Sequence, residues 1–246
     1  MTAGFKIICF ESLGSTNDYL KENVTELDDY TVVWARDQHS GRGRFSRKWL
    51  SEKGEGLTFS VSIPVVDYEA ECIGGIPLAA GLSAAAALKG IAPVLSPRIK
   101  WPNDILLNRK KAGGILCERV GDNVVAGLGI NINTRQENLD SIDIPATSLS
   151  VETQCGYKLS DVLERFLESF KPRLDTLLKE GVKGIKQELD QYLYVPDHDV
   201  IVIDWDREFK GRIVGVNESG ELLFRDDTEG LVTFNSGEVS FSGISL

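Results

Sequence analysis

The feature that most constrains the fold is a change of residue pattern at Pro196. Upstream of it, apolar segments of strand length alternate with segments of helical periodicity. Downstream, short apolar segments follow one another between turns that contain Gly220, Gly230 and Gly237, a pattern typical of a small β-barrel. The sequence therefore predicts two domains, residues 1–196 and 197–246. The short strands predicted in the second domain are Val200–Ile203, Phe209–Val216, Leu222–Phe224, Leu231–Phe234 and Val239–Phe241.

The first domain is predicted to be α+β, with a mixed sheet and packed helices. Leu57–Ile63 alternates apolar and polar residues and should be a half-buried strand. Leu159–Lys179 has the periodicity of an amphipathic helix. Further strands are predicted at Phe5–Phe10, Thr31–Ala35, Arg98–Lys100, Ile105–Leu107, Gly114–Glu118 and Val124–Ile130, and further helices at Ser15–Glu22, Pro77–Leu88 and Val182–Leu193.

Composition narrows the function classes. The chain has 246 residues and a net charge of −10. An acidic chain is a poor candidate for binding the phosphates of a nucleic acid over a wide surface. Four dispersed cysteines without a C-x-x-C pair predict buried, reduced thiols and no structural zinc or iron–sulfur site. The longest uncharged run, Cys72–Leu88, contains glycine and proline and is predicted to be a buried helix. No secretion signal is recognisable, so we expect a soluble cytoplasmic protein without membrane attachment.

Positive charge is concentrated in one glycine-rich loop. Arg36–Lys53 holds six basic and two acidic residues, a net charge of +4 in an acidic chain. Its centre is Gly41-Arg42-Gly43-Arg44. The glycines let the backbone approach a ligand closely, and the arginine guanidinium groups donate paired hydrogen bonds that suit phosphate or carboxylate. The loop favours a small anionic ligand, although a solvated turn with scattered surface charge is the alternative interpretation.

Two further segments carry polar residues at strand ends. They are Lys100-Trp101-Pro102-Asn103-Asp104 with the following Lys110–Leu116, and Gly127–Asn133. Each alone is compatible with an ordinary hairpin or strand end. No phosphate-binding loop of the G-x-x-x-x-G-K-[ST] type, no G-x-G-x-x-G after a strand and no G-x-S-x-G motif occurs. The residue chemistry therefore indicates electrostatic handling of an anion without a covalent nucleophile.

Together these segments resemble the biotin protein ligases. The resemblance rests on Gly14–Asn17, Gly41–Arg44 with Arg47 and Trp49, Lys100–Asp104, Lys111 with Gly114–Leu116, and Gly129–Asn131, which occur in the family's order. It implies a catalytic domain of the biotin/lipoate ligase type followed by an SH3-like barrel. It also implies a two-step reaction, in which biotin and ATP give biotinyl-5′-AMP, and a lysine of a carboxylase's biotin carboxyl carrier domain then attacks the adenylate.

The resemblance also implies roles for individual residues. The residues implied to bind biotin are Ser15, Thr16, Asn17, Gln38, Gly41, Arg42, Gly43, Lys111 and Gly114. The residues implied to bind the nucleotide are Arg44, Arg47, Trp49, Asn103 and Asn131. Lys111, Arg44 and Asp104 are the implied catalytic residues, and Asp104 is both a candidate Mg²⁺ ligand and a hypothetical base for the transfer step.

The sequence leaves open two rival functions, the oligomeric state and the role of the barrel. A lipoate ligase or octanoyl transferase would activate another acid on a related fold, and an adenylate-binding sensor would catalyse nothing. The family often forms side-by-side homodimers, so a homodimer is one expected state. Only 14 residues precede Ser15, too few for the helix-turn-helix domain of the family's repressor branch, and no DNA binding is expected. The barrel either steadies the catalytic domain or helps to dock the carrier.

Overall fold

A seven-stranded mixed sheet carries most of the polar segments singled out above. The computed structural model describes residues 4–49, 51–141 and 144–240. The strand order is β1-β2-β3-β7-β6-β5-β4, in which only β1 and β2 are parallel neighbours. The strands are β1 Lys6–Phe10, β2 Thr31–Ala35, β3 Gly56–Pro64, β4 Arg98–Lys100, β5 Asp104–Leu107, β6 Lys110–Val120 and β7 Asn123–Asn131.

Helices cover both faces of this sheet. The α-helices are α1 Thr16–Asn23, α2 Ala70–Gly74, α3 Ile76–Ile91, α4 Gln136–Leu139, α5 Leu149–Thr153, α6 Leu159–Glu180 and α7 Lys186–Tyr192, with 3₁₀ turns at Arg44–Ser46 and Val182–Gly184. α3 and α6 pack together over one face, where Phe59, Phe166 and Phe170 are fully buried. α1 covers the opposite face and buries Leu20 against Val33 and Val125. The strand and helix predictions are confirmed to within a few residues at their ends.

The prediction that Leu57–Ile63 is half buried is wrong, because β3 is buried on both faces. Its apolar residues face α3 and α6, as the alternation indicates. Its polar residues, Thr58, Ser60 and Ser62, are buried too, because α1 and the edge of the functional cavity lie over them. Each of the three hydroxyls makes a hydrogen bond, which is what makes their burial tolerable.

The C-terminal part forms a second, antiparallel sheet with the order β11-β10-β9-β8-β12. Its strands are β8 Val200–Asp204, β9 Arg207–Val216, β10 Leu222–Asp226, β11 Gly230–Phe234 and β12 Glu238–Ser240. In its core Phe234 contacts both Phe209 and Phe224 edge to face. Five short strands agree with the predicted SH3-like barrel, while Phe241, the last residue predicted for it, lies outside the described residues.

The two sheets meet at a specific junction. Trp101 Nε1 donates to the Gly220 carbonyl at 3.1 Å, so a turn of the barrel is bonded to the segment before β5. The same glycine lies against Leu78 and Val182. A Cβ there would lie 3.1 Å from each of them, which is tighter than ordinary van der Waals contact, and the backbone is in the left-handed region with φ of +85°.

Of two expectations from composition, the one on the cysteines is wrong in part and the one of a buried helix within Cys72–Leu88 is confirmed. The cysteines were expected to be buried, but Cys9 and Cys155 are exposed, because Cys9 lies on the edge strand β1 and Cys155 follows α5 in a loop. The Cys117 thiol is buried, which raises its pKa to about 12. Ala70–Ile91 is apolar enough to span a membrane by length and composition, but 67% of the relevant stretch is buried, as in a core helix.

Candidate active site

The predicted site residues converge on one cavity of about 580 Å³ between the sheet, the basic loop and the barrel. All of them except Gly41 line it. The wall is built from Ser15, Thr16, Asn17, Gln38, Arg42, Gly43, Arg44, Arg47, Trp49, Asn103, Asp104, Lys111, Gly114 and Asn131, together with residues that were not predicted, among them Ile144, Ala146 and Glu238. Gly41 lies just behind, where a side chain would collide with the Gln38 amide and the Trp49 backbone.

One end of the cavity is polar but uncharged. Ser15 caps α1 by accepting a hydrogen bond from the Asp18 amide at 3.3 Å, which places Thr16 at the first turn. Gln38 Oε1 accepts from the Thr16 backbone amide at 2.9 Å. Asn17 Nδ2 donates to Glu118 at 2.8 Å, and the Asn17 oxygen accepts from Ser60 at 2.5 Å. These bonds fix the orientation of the side chains on which an uncharged ligand would rest.

An ion cluster borders this polar end. The Arg42 guanidinium pairs with Asp18 and lies 3.5 Å from Glu118, and Lys21 bonds Glu118 at 2.8 Å. Burial of the Glu118 carboxyl raises its pKa, but the hydrogen bonds from Lys21 and Asn17 outweigh this, so its pKa lies below the ordinary value. Arg42 is thus held at the rim, with its charge balanced by carboxylates.

Lys111 and Asp104 occupy the middle of the cavity. The Lys111 ammonium lies 2.7 Å from Asp104 Oδ1, and the two side chains are 25% and 16% exposed. Strand alternation in β6 sends Lys110 to the solvent and Lys111 inward. A Cβ on Gly114 would lie 3.5 Å from Lys111 and 3.6 Å from Asp104, so Gly114 keeps open the space beside this ion pair.

The other end of the cavity is cationic and reaches the barrel. Arg44 donates to Asn103 Oδ1 at 3.2 Å and to the Gly237 carbonyl at 3.1 Å. Arg47 makes a two-pronged bond to Glu238, at 2.7 and 2.8 Å. This bond lowers the pKa of Glu238 and raises that of Arg47. The basic loop is therefore fastened to the barrel through its two central arginines.

A third cation and an indole complete the cationic end. Burial lowers the pKa of Lys100, against the attraction of Asp104. Trp49 lies across Gly129 so closely that a Cβ there would be 2.2 Å from the indole. The indole N–H is buried and has no partner among the described residues. Asn131 donates to the Thr147 carbonyl at 3.1 Å, which leaves its amide oxygen available at the cavity wall.

Sequence reasoning missed several residues of this site. Glu238 was missed because its partner Arg47 lies 191 residues away, and nothing local marks that contact. Ser60 and Glu118 were missed because each reads as an ordinary strand residue. Lys100 belongs to one of the motifs, but the motif predicts no role for it. The one available signal was the polar row on β3, where Thr58, Ser60 and Ser62 alternate with apolar residues.

Comparison with known proteins shows the family. Residues 9–134, more than half of the chain, match the model described as the biotin/lipoate A/B protein ligase family. Residues 199–242 match the biotin protein ligase C-terminal domain. The chain therefore belongs to the biotin/lipoate protein ligase family. Within that family its fold, its second domain and its full-length relatives place it among the biotin protein ligases.

The relatives cover nearly the whole chain. The biotin–[acetyl-CoA-carboxylase] ligase of Paracoccus denitrificans is 30% identical over 93% of this chain and 98% of its own length. The bifunctional ligase/repressor BirA of Bacillus subtilis is 31% identical over 96% of this chain but 74% of its own length. For the Bacillus spizizenii protein of the same name, this chain spans 65% of the relative's length.

Solved structures agree with the sequence comparison. The biotin protein ligase of Aquifex aeolicus in complex with biotin and ATP has a TM-score of 0.84 and 31% identity to this chain, with 96% of this chain and 97% of that chain covered. The Leishmania major ligase with biotinyl-5-AMP, at 23% identity and a TM-score of 0.64, shares the fold.

Proposed function

We propose that this chain joins biotin to a lysine of a carboxylase carrier protein, through biotinyl-5′-AMP, with the cavity residues named above. The observation that carries the proposal is the position of Lys111. Its ammonium stands between an uncharged polar end, which suits the rings of biotin, and a cationic end, which suits a triphosphate. A site for joining a carboxylate to a phosphate needs this order of groups.

In the first step the biotin carboxylate attacks the α-phosphorus of ATP, and the bond to the leaving pyrophosphate breaks. Two like charges 4 Å apart repel by about 4 kcal/mol at an effective dielectric constant of 20. Lys111 lies where it offsets that repulsion, and Arg44 and Arg47 lie where charge accumulates on pyrophosphate. The arginines must first exchange their bonds to Asn103, Gly237 and Glu238 for bonds to phosphate.

The nucleotide side also offers neutral groups. The unpaired Trp49 indole N–H and the Asn131 amide oxygen face the same end of the cavity, and both suit contacts to the adenylate. Mg²⁺ is held in such sites by one or two protein carboxylates and substrate phosphates. Asp104 fits that pattern as a single carboxylate, although no group of three or more acidic, histidine or cysteine residues able to hold a metal occurs in the described part of the chain. Bound there, Mg²⁺ would neutralise phosphate charge.

In the second step the carrier lysine attacks the acyl carbon of the adenylate, an amide forms and AMP leaves. The lysine must lose a proton, and of the two carboxylates that line the cavity, Asp104 and Glu238, the second is bonded to Arg47. The bond of Asp104 to Lys111 holds it in place. We propose that Asp104 accepts that proton once Lys111 has moved to the adenylate.

Features outside the cavity belong to the same proposal. A carboxylase carrier domain is the proposed partner, and residues 1–196 and 197–246 are the proposed domains. The cytoplasm is the proposed compartment, since the carrier, biotin and ATP must meet there.

The decisive test uses the purified chain with biotin, Mg·ATP and a carrier domain. We expect a biotin-dependent increase in the acceptor's intact mass that requires ATP. A mass increase with lipoate alone would assign the lipoate-attaching activity instead. No increase with either acid, together with tight biotin or nucleotide binding and no pyrophosphate release, would establish an adenylate sensor.

A further inference from the structure

A buried chain of hydrogen bonds connects the polar end of the cavity to the Glu118 ion cluster. Thr16 Oγ1 lies 2.6 Å from Ser60 Oγ, and Ser60 Oγ donates to Asn17 Oδ1 at 2.5 Å. Asn17 Nδ2 then donates to Glu118 at 2.8 Å and to the Leu116 carbonyl at 3.2 Å. Ser60 is fully buried and lies outside the cavity lining, whereas Thr16 and Asn17 line it.

The acceptors at the far end fix the direction of every bond in this chain. A carboxylate and a carbonyl only accept, so the Asn17 amide must turn its NH₂ group toward Glu118 and Leu116. Its oxygen then faces Ser60. The single hydroxyl hydrogen of Ser60 is consumed by that oxygen, which leaves Ser60 an acceptor toward its other neighbour.

Thr16 Oγ1 has two acceptors within reach, Ser60 Oγ at 2.6 Å and Gln38 Oε1 at 3.1 Å, and its single hydroxyl hydrogen must lie in the shorter contact, the one to Ser60. Two oxygens 2.6 Å apart with no hydrogen between them would repel, and Ser60 has no second hydrogen to give. The Thr16 oxygen consequently presents only lone pairs to the cavity. A change at Ser60 would free the Thr16 hydroxyl to turn toward Gln38 or the ligand, without altering any atom of the cavity wall.

The neighbouring Gln38 presents the opposite polarity. Its Oε1 atom accepts from the Thr16 backbone N–H at 2.9 Å and faces the Thr16 hydroxyl at 3.1 Å, so its Nε2 group is the end that remains for a ligand. The cavity thus places an acceptor beside a donor. The complementary ligand has an N–H next to a C=O.

We propose that Ser60 is a positioning residue that holds the Thr16 hydroxyl as an acceptor and so makes the pocket selective for the N–H of a ureido group. This rests on the proposed function, in which the ligand of this end is biotin. Ser60 touches no ligand and acts through Thr16 alone.

The test compares Ser60→Ala with Ser62→Ala. Both serines are buried on the same face of β3 and each donates one hydrogen bond, but Ser62 bonds Asn123, away from the cavity. Dissociation constants are measured by calorimetry for biotin and for its two analogues that carry a methyl group on one or the other ureido nitrogen. Thermal melting checks that both variants fold.

We expect Ser60→Ala to weaken biotin about fivefold, and Ser62→Ala to change it less than twofold. The analogue that lacks the N–H facing Thr16 should bind Ser60→Ala and wild type alike, whereas its regioisomer should weaken as biotin does. Equal weakening of all three ligands would show a packing role, and no change would show no role. Either result overturns the inference.

Two further results keep the test informative. If Ser60→Ala does not fold, Ser60→Cys keeps the side-chain shape with a weaker donor and serves the same comparison. If wild type does not bind biotin at all, the proposed function fails rather than the role of Ser60.

Discussion

At the scale of single residues, two neighbouring lysines at the start of β6 have different environments: one points into the cavity and the other into solvent. Lys111 bonds Asp104 at the centre of the site, while its neighbour Lys110 is exposed. The pair provides an internal control, because both are lysines on the same strand.

Lys111→Ala should reduce adenylation at least a hundredfold, because it removes the cation proposed to offset the repulsion between the biotin carboxylate and the α-phosphate. That corresponds to about 2.7 kcal/mol of the activation barrier. Biotin-dependent pyrophosphate release measures it, with Lys110→Ala expected to stay within twofold of wild type. A normal rate for Lys111→Ala would remove this lysine from the mechanism.

Asp104→Asn distinguishes a base from a structural partner of Lys111. Transfer from preformed biotinyl-5′-AMP to the carrier should fall at least tenfold, because the amide accepts no proton at neutral pH. Quenched-flow measurement of carrier biotinylation checks it. Unchanged transfer would leave Asp104 with a positioning role in the first step.

Gly129 is a residue at which the lack of a side chain matters. A Cβ at this position would lie 2.2 Å from the Trp49 indole, so Gly129→Ala must displace that ring. We expect KM for ATP to rise severalfold with little change in the dissociation constant of biotin. Gly121→Ala, in a turn where a Cβ meets nothing within 4 Å, controls for the substitution itself, although its φ of +54° costs some stability. An unchanged KM for ATP would show that the indole does not serve the nucleotide.

At the scale of elements, the basic loop is a short hairpin with two attachments to the barrel. Gly43 N donates to the Arg47 carbonyl at 2.7 Å and Trp49 N to the Gly41 carbonyl at 2.9 Å. Arg44 and Arg47 then bond Gly237 and Glu238. The arginines that trypsin would cut are thus held in place before any ligand arrives.

Glu238→Gln should make this loop more sensitive to trypsin in the ligand-free protein. The lowered pKa of Glu238 means that its ion pair stabilises the folded protein at neutral pH and is lost as pH falls through that pKa. Biotin and ATP together should protect the loop in both proteins. Identical cleavage of the variant and wild type without ligand would show that the Glu238 bond does not restrain the loop, and Glu208→Gln on β9 is the control.

Elements were easier to predict from the sequence than contacts. Strands such as Thr31–Ala35 and helix α6 follow from apolar periodicity within a few residues. The polar face of β3 was misread because its burial depends on α1, which packs there from elsewhere in the chain. The cavity residues came from local motifs, whereas Glu238 and Glu118 depend on contacts between distant strands that no local pattern reports.

At the scale of the whole molecule, the barrel forms part of the wall of the cavity. Glu238 and Val239 line it, and Gly220 bonds Trp101. Removal of residues 197–246 should therefore impair adenylation as well as transfer, as judged by pyrophosphate release, with circular dichroism to check folding. Full adenylation with lost transfer would instead assign the barrel to the carrier.

The acidic character of the whole chain leads to a separate prediction. The net charge is −10, and Arg44 and Arg47 of the basic loop are bonded to the barrel, so the chain has no surplus of positive charge with which to bind DNA phosphates. A gel-shift assay at physiological salt should show no sequence-specific DNA binding. A salt-resistant specific complex would contradict this.

The bond between Arg47 and Glu238 also has a consequence during synthesis. The two residues are 191 positions apart, so the ribosome finishes the basic loop long before its restraining carboxylate exists. Throughout that interval the nascent chain can form the central sheet, yet Arg47 lacks the carboxylate that restrains it and stays available to any anion in the cell. The order of translation therefore makes the anion-binding end of the cavity the last part of the site to be shielded.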